Sequence, residues 1–495
     1  MGVERELKCQ ISSAELSAFK RDALLQKVRP RLIHLHSVYF DTPDQSLRRS
    51  GFVLRVRKEN DRFIQTVKAT HAQMLRAEWN CTLTKNKPSF ASLKDTPLRD
   101  ILSKAKIRRD LQVIFATHVE RHVWQIEWQG AQIEVALDEG AILANAYQLP
   151  VCEIEFELKS QGGLAPLFSL AQEFSKRYAL RLSTISKDDR GQRLADGLIH
   201  QPFKVGAPIM SRNQLALDAF QTIVFNCLQH FEWNAHVLIA TGDVEATHQA
   251  RIAIRRLRSA LWFFKPLLAT SFAAPMRDEL CWLSAQLGAA RDLDVFWQLH
   301  VQPLLERGTV GGAQALNLIV QNKRAKAYED LRAALNSARL RTLLFELAEP
   351  RAHAAPLDRF LKRRVSARLR QLIKQGKNLR HLTAPQRHRL RINAKKLRYC
   401  AEFFGSLLET KKVRARQIAL INALSVLQDT LGREQDSQNA HHQLAQMAQL
   451  DSDNCALVFA AGMAAGVALN FDLDACLGQA NLAYQCMRRI KPLWA

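Results

Sequence analysis

Through residues 1–197 apolar and polar side chains alternate in short runs, the period of strands that turn one face to a core. Runs at 52–57, 63–68, 77–83, 119–128, 132–137 and 151–159 each predict a strand. Helical spacing interrupts them at 13–25, where Ser12 or Ser13 starts the helix, and at 164–178. Two prolines and a glycine without periodicity then predict a linker over 201–212. From residue 213 the period is helical, with breaks near Gly242, Gly308, Gly312, Pro350, Pro356 and Pro385. The pattern predicts an α+β chain, with a strand-rich domain over 1–200 and an all-α domain over 213–495.

The polar positions of some strands are unusual. Glu4, Glu6 and Lys8 stand at every second position of the first strand, so they share one face. Glu153, Glu155, Glu157 and Lys159 repeat the device, and Arg55 and Arg57 share a face on another strand. One such strand would read as the solvated face of an open sheet. Several together predict a wall of carboxylates and cations around a cavity for metal ions and a polyanion.

The helical part contains a duplication. His248, Arg251, Arg255 and Arg258 fall on one helix face, and His388, Arg391, Lys395 and Arg398 repeat the spacing 140 residues later. Leu287-Gly288 with Asp292 matches Leu431-Gly432 with Asp436. Two pseudo-repeated helical bundles are expected, their basic helices forming a polyanion-binding groove. The alternative is a solvated basic face paired with Asp292, Asp294, Asp429 and Asp436.

Charge sharpens this picture. The chain has 71 Lys and Arg against 47 Asp and Glu, a formal net charge of +24. Residues 1–200 hold +7 of it and the remainder +17, so the helical part attracts polyanions more strongly. Nucleic acid would answer to charge alone, but no reader motif is visible and no aromatic residues interleave with the basic face. Nine cysteines without a spaced framework fit a reducing compartment, and Cys9 and Cys81 read as packing residues. Charges begin at Glu4, which excludes an apolar signal core there, and the apolar run 456–469 is too short to span a bilayer. A cytoplasmic location without membrane partners is expected.

The N-terminal part resembles the CYTH domain, the triphosphate tunnel metalloenzyme family. The likeness rests on Glu4-x-Glu6-x-Lys8, Tyr39 to Asp44, Gly51 to Arg57, Arg76-Ala-Glu78, Leu137 to Gly140, Cys152 to Lys159 and Ser186 to Gly191. The helical part resembles the CHAD domain, and the combined order is similar to bacterial CYTH–CHAD inorganic triphosphatases. One position departs: many CYTH members carry a second acid two places after Glu78, where this chain has Asn80.

The resemblance implies an eight-stranded antiparallel barrel with both charge types pointing inward, and Mg²⁺ or Mn²⁺ as cofactor. Lys8, Arg55, Arg57, Lys68, Arg121, Lys187 and Arg190 would cradle a triphosphate, the arginines through bidentate contacts. Glu4 and Glu6 would ligate one ion, and Glu78, Asp138, Glu153 and Glu155 a second. Lys68 is the candidate for leaving-group assistance, with Tyr39 as its partner. The expected activity is hydrolysis of inorganic triphosphate to pyrophosphate and phosphate, beside a helical domain that binds inorganic polyphosphate. Thiamine triphosphate, a nucleoside triphosphate, or a non-catalytic polyphosphate scaffold are the alternatives.

Overall fold

The alternating runs fold as β1 (Gly2–Gln10), β2 (Arg31–Asp41), β3 (Phe52–Glu59), β4 (Arg62–Ala69), β5 (Leu75–Leu83), β6 (Gln112–Trp128), β7 (Ala131–Ala144), β8 (Tyr147–Leu158) and β9 (Arg181–Ser183). The computed structural model describes residues 2–69, 75–308, 310–349, 353, 355–451, 453–469, 472–491 and 493. All strand pairings are antiparallel, in the order β5-β4-β3-β2-β6-β7-β8-β1-β9. β1 also pairs with β5, from Gly2 opposite Glu78 to Arg5 opposite Leu75. The sheet thus has nine strands where eight were expected. The additional one is a three-residue strand laid along Lys8–Gln10 of β1.

Over β3, β4 and β8 this sheet is apolar on its outer side and charged within. On β8, Ile154 and Phe156 are fully buried on the face opposite Glu153 and Glu155. Phe156 packs on Phe174 of the helix Ala165–Ser175, and Phe174 packs on Phe19, which meets Trp124 edge-on. On the other side Leu54 and Val67 join Leu93, Leu98 and Leu102 from short helices. Helices therefore cover the apolar face and leave the opposite face free to be polar.

The expected helix at 13–25 is cut short. Ser12 Oγ caps a 3-10 turn at Ser13–Glu15, and the α-helix runs only over Leu16–Lys20. The second expected helix occupies Ala165–Ser175.

The chain divides into two units, Met1–Pro202 with Ser337–Glu349, and Phe203–Asn336 with Pro350–Ala495. The segment expected as a linker is tied to the second unit. Phe203 N donates to Asn234 Oδ1 at 3.0 Å, and Asn234 Nδ2 donates back to Phe203 O at 2.9 Å. Met210 N donates to Ser406 Oγ at 3.1 Å, and Arg212 Nε to Leu407 O at 3.0 Å.

The second unit is helical throughout its described residues, apart from loops and one isolated bridge. The first basic motif lies in the helix Val244–Phe264 and the second in Ala384–Phe403, and these two helices touch. The matched glycines lie in Thr270–Phe296 and Lys411–Ala448. Each repeat packs its arginine over its glycine. A Cβ on Gly288 would lie 3.9 Å from Arg251 Nη2, and one on Gly432 would lie 2.9 Å from Arg391 Nη2. Among the described residues no helix is long and apolar enough to cross a membrane.

Candidate functional site

A cavity of about 340 Å³ lies within the sheet of the first unit. Its cations come from separate elements: Lys8 of β1, Arg55 and Arg57 of β3, Lys68 of β4, Arg121 of β6, and Lys187. Glu6, Glu78, Glu155, Tyr39 and Asn80 line it too. Glu59, Glu157 and Asp188 complete the charged part of the lining. The Glu4 side chain lies outside the described residues.

Asp138, Glu153 and Arg190 do not line this space but form a buried network with the residues that do. Asp138 and Glu153 are 0% and 1% exposed, which demands partners for their charge. Arg121 donates from Nε to Asp138 Oδ1 at 2.6 Å and from Nη2 to Oδ2 at 2.7 Å, and also reaches Glu155. Lys187 Nζ lies 2.6 Å from Asp138 Oδ2 and 3.0 Å from Glu155 Oε1, and contacts Glu153. Arg190 pairs with Glu153. Lys8 Nζ lies 3.0 Å from Glu155 and 3.1 Å from Glu6.

Burial alone would raise the Asp138 and Glu155 carboxyls. Arg121 and Lys187 outweigh it at Asp138; Lys187, Lys8 and Arg121 outweigh it at Glu155, which is held well below its usual range. Burial works the other way on Lys187, and the three carboxylates raise it above its ordinary value. Arg57 differs. Burial, with Arg55 and Arg121 as like-charged neighbours, pushes it down to about 10. A guanidinium destabilised by its own surroundings is a site that gains when an anion arrives.

Loops and turns aim these groups. Asp41 accepts from the amides of Thr42, Leu47 and Arg48, which fixes the turn after β2. Arg48 then bonds Asp189 at 2.7 Å. Asp189 and Ser186 form a capping box that starts the helix Lys187–Ala195, the element carrying Lys187 and Arg190. Tyr39 is stacked on Phe115 with ring centroids 4.2 Å apart.

Two contributors were missed from sequence. Ser37 accepts from Arg57 Nε at 3.2 Å, and Thr66 accepts from Arg55 Nη2 at 3.1 Å. Thr66 also donates to Asn80 Oδ1 at 2.7 Å, so Asn80 holds a partner of Arg55 in place. Ser37 was detectable from the alternation Ile33, Leu35, Ser37, Tyr39, all buried on one face of β2.

In the second unit a larger cavity, about 650 Å³, takes lining residues from both repeats. Arg255 and Arg258 of the first repeat face Lys395, Lys396 and Tyr399 of the second. Arg255 Nη2 donates to Tyr399 Oη at 3.0 Å. Burial, then Arg255, Arg391, Arg251 and Arg398, push Lys395 down to about 7. His248, Arg251, His388, Arg391 and Arg398 are not in this lining. Arg251 pairs with Asp292 at 2.9 Å and Arg398 with Glu402 at 2.7 Å. His388 Nδ1 is buried without a hydrogen bond. Of the carboxylates expected to neutralise the basic face, Asp294 instead bonds Arg324 and Tyr328.

Residues 3–192 match the CYTH domain and residues 222–445 match the CHAD domain. The chain joins a CYTH domain to a CHAD domain. An inorganic triphosphatase of Haemophilus influenzae (strain ATCC 51907 / DSM 11121 / KW20 / Rd) is 35% identical over 169 residues, 33% of this chain and 46% of that protein. The chain thus spans about half the length of that relative. A crystal structure of the CHAD domain from the plant Ricinus communis is 29% identical with a TM-score of 0.47, covering 57% of this chain and 97% of the other. A crystal structure of an inorganic triphosphatase is 16% identical with a TM-score of 0.15, covering 32% and 77%.

Proposed function

We propose that the CYTH domain hydrolyses inorganic triphosphate to pyrophosphate and phosphate with a bound divalent ion, and that the CHAD domain binds inorganic polyphosphate. The observation that carries this is the convergence of six cationic side chains from five elements on one cavity of about 340 Å³. The pairing of β1 with both β8 and β5 supports reading the sheet as a ring about that cavity. The name of the Haemophilus influenzae relative points to the same chemistry. Nine free cysteines fit a cytoplasmic location.

The residues fit one hard ion. Glu6 Oε1 is buried without a hydrogen bond, although Lys8 stands 3.1 Å away, so it has a coordination site to offer. Glu6, with Glu4 as the resemblance implies, would hold Mg²⁺ or Mn²⁺. When bound, such an ion would offset triphosphate charge and acidify water at the site. They fit a second ion poorly. Oxygens of Asp138, Glu153 and Glu155 lie within 4.8 Å of one another, but the Lys187 ammonium contacts all three. Asp138 and Glu153 then position Arg121, Lys187 and Arg190. Arg55 and Arg57 take phosphate oxygens. Lys68, 3.4 Å from Glu78 Oε1, neutralises charge developing on the departing pyrophosphate, with Tyr39 beside it in the lining.

Inorganic triphosphate is favoured over thiamine triphosphate or a nucleotide because, among the described residues, Tyr39 is the one aromatic side chain in the lining, and Phe115 already covers a face of it. Phosphate release from tripolyphosphate, pyrophosphate, long polyphosphate, ATP and thiamine triphosphate, each with Mg²⁺ or Mn²⁺, tests the reading. Tripolyphosphate should be the best substrate. Release from none of them would leave a scaffold. Glu6→Gln should lower turnover by about 10–100-fold or more with the fold intact by circular dichroism. Parental turnover in that variant would remove Glu6 from the metal site.

A further inference from the structure

The outer face of the CYTH sheet carries a second grouping that the proposed reaction does not use. His34 and His36 alternate on β2, so they share a face. His118 and Glu120 alternate on β6. The register sets His36 opposite His118 and His34 opposite Glu120. Four donor side chains thus occupy the corners of one rectangle; no three of their ligand atoms lie within 4.8 Å of one another, so the exposed side chains would turn inward to close on an ion. The rectangle's short side is a direct cross-strand pair, with Cβ atoms about 4.5–5.5 Å apart, and its long side is two residues of strand.

The rings of His36 and His118 already touch, edge to face, with centroids 4.1 Å apart. All three histidines are exposed, so they do not serve as core residues. They line an open hollow of about 480 Å³ together with Glu120 and Glu139. Two other groups bear on its charge. Lys58 stands opposite His36 on β3, exposed at the end of a flexible stem, and Lys20 neutralises Glu139 at 3.0 Å. His122 Nε2 lies 3.7 Å from Glu120 Oε1 and could steady that carboxylate.

We propose that His34, His36, His118 and Glu120 form a metal site for a zinc-class transition ion, separate from the cavity. Three imidazoles and one carboxylate match the donors such ions prefer, while the oxygen donors of the cavity match Mg²⁺ or Mn²⁺. The donor chemistry keeps the two sites apart. Transition-ion binding on this face would also brace β2 against β6, the strands that carry Tyr39, Ser37 and Arg121.

The test uses the full chain in excess Mg²⁺, so that oxygen-donor sites are saturated. Calorimetric titration with Zn²⁺ should show one equivalent, and Co²⁺ should give visible absorption bands of nitrogen ligation. The double variant His36→Asn, His118→Asn should lose both, with Mg²⁺-supported phosphate release unchanged. His34→Ala, which leaves the touching pair intact, should weaken Zn²⁺ by at least about tenfold. Failure of the parent chain to bind Zn²⁺ under excess Mg²⁺ would overturn the proposal, as would full Zn²⁺ binding by either variant. The Zn²⁺ and Co²⁺ readouts, which decide the proposal, do not depend on the triphosphatase reading.

Discussion

Lys187 contacts three carboxylates from two strands, and Glu155 meets three cations in return. Removing it leaves Asp138, Glu153 and Glu155 buried without enough counter-charge. Lys187→Met should destabilise the chain by about 3–5 kcal/mol, the usual penalty for breaking a buried ion network from one side. The pH dependence gives a sharper reading. Folded Asp138 and Glu155 sit below their ordinary values of 3.8 and 4.5. A depressed carboxyl adds stability above its unfolded value, and that stability is lost as pH falls through the folded value. The parent chain should therefore lose stability mainly below about pH 4. Without Lys187 desolvation gains weight, the carboxyls rise, and the loss should begin at higher pH. Urea unfolding between pH 3 and 7 checks this; the same acid limb in parent and variant would show that Lys187 does not control these groups.

At the level of elements, the helix Lys187–Ala195 delivers Lys187 and Arg190 and presses on the strand behind Tyr39. Gly191 makes that approach possible. A Cβ there would come within 2.2 Å of the Phe115 ring, and Phe115 is stacked on Tyr39. Gly191→Ala should cost about 1–3 kcal/mol by overpacking and lower phosphate release, because the helix must retreat with both cations. Thermal melting and a turnover assay measure the two effects; an unchanged melt would mean that Phe115 yields without strain. The basic helices of the CHAD unit give a second element-scale prediction. Lys395, at about 7, is partly neutral near pH 7.5, and a bound polyanion should restore its proton. Calorimetry of polyphosphate binding in buffers of different ionisation enthalpy should show proton uptake that Lys395→Met abolishes. Binding should also weaken with added salt. Buffer-independent heats would place the anion elsewhere.

These elements were legible in sequence to different degrees. Glu6, Lys8, Arg55 and Arg57 were readable because strand parity alone decides which face they share. β2 was passed over although Ile33, Leu35 and Tyr39 alternate with His34 and His36, because Leu32, Val38 and Phe40 share the parity of the histidines and blur its outer face. The split between cavity lining and supporting network was also hidden. Glu153 and Glu155 have the same parity on β8, and only the positions of Lys187, Arg190 and Arg121 separate a lining carboxylate from a supporting one.

For the whole molecule, the division of the chain sets a limit on cutting it. Every residue lining the CYTH cavity precedes residue 189, which favours an autonomous domain. Yet Ser337–Glu349, far along the chain, belongs with that unit. Its helix Ala338–Ala348 packs against β9 and buries Leu340, Leu343, Leu344, Phe345 and Leu347. β9 in turn pairs with β1 at Lys8, four residues before Lys187 begins the site helix. A fragment of residues 1–202 should therefore fold and release phosphate from tripolyphosphate, but with a lower melting temperature and slower turnover than the full chain. Each apolar side chain it no longer packs against contributes about 1.5–3 kcal/mol when fully buried, so the deficit should be several kcal/mol. Adding a peptide of residues 337–349 should recover part of both. A fragment as stable and as active as the full chain would show that the helix is a passenger on β9. A folded fragment without activity, rescued by the peptide, would make the helix necessary for holding Lys8 and Lys187 in register.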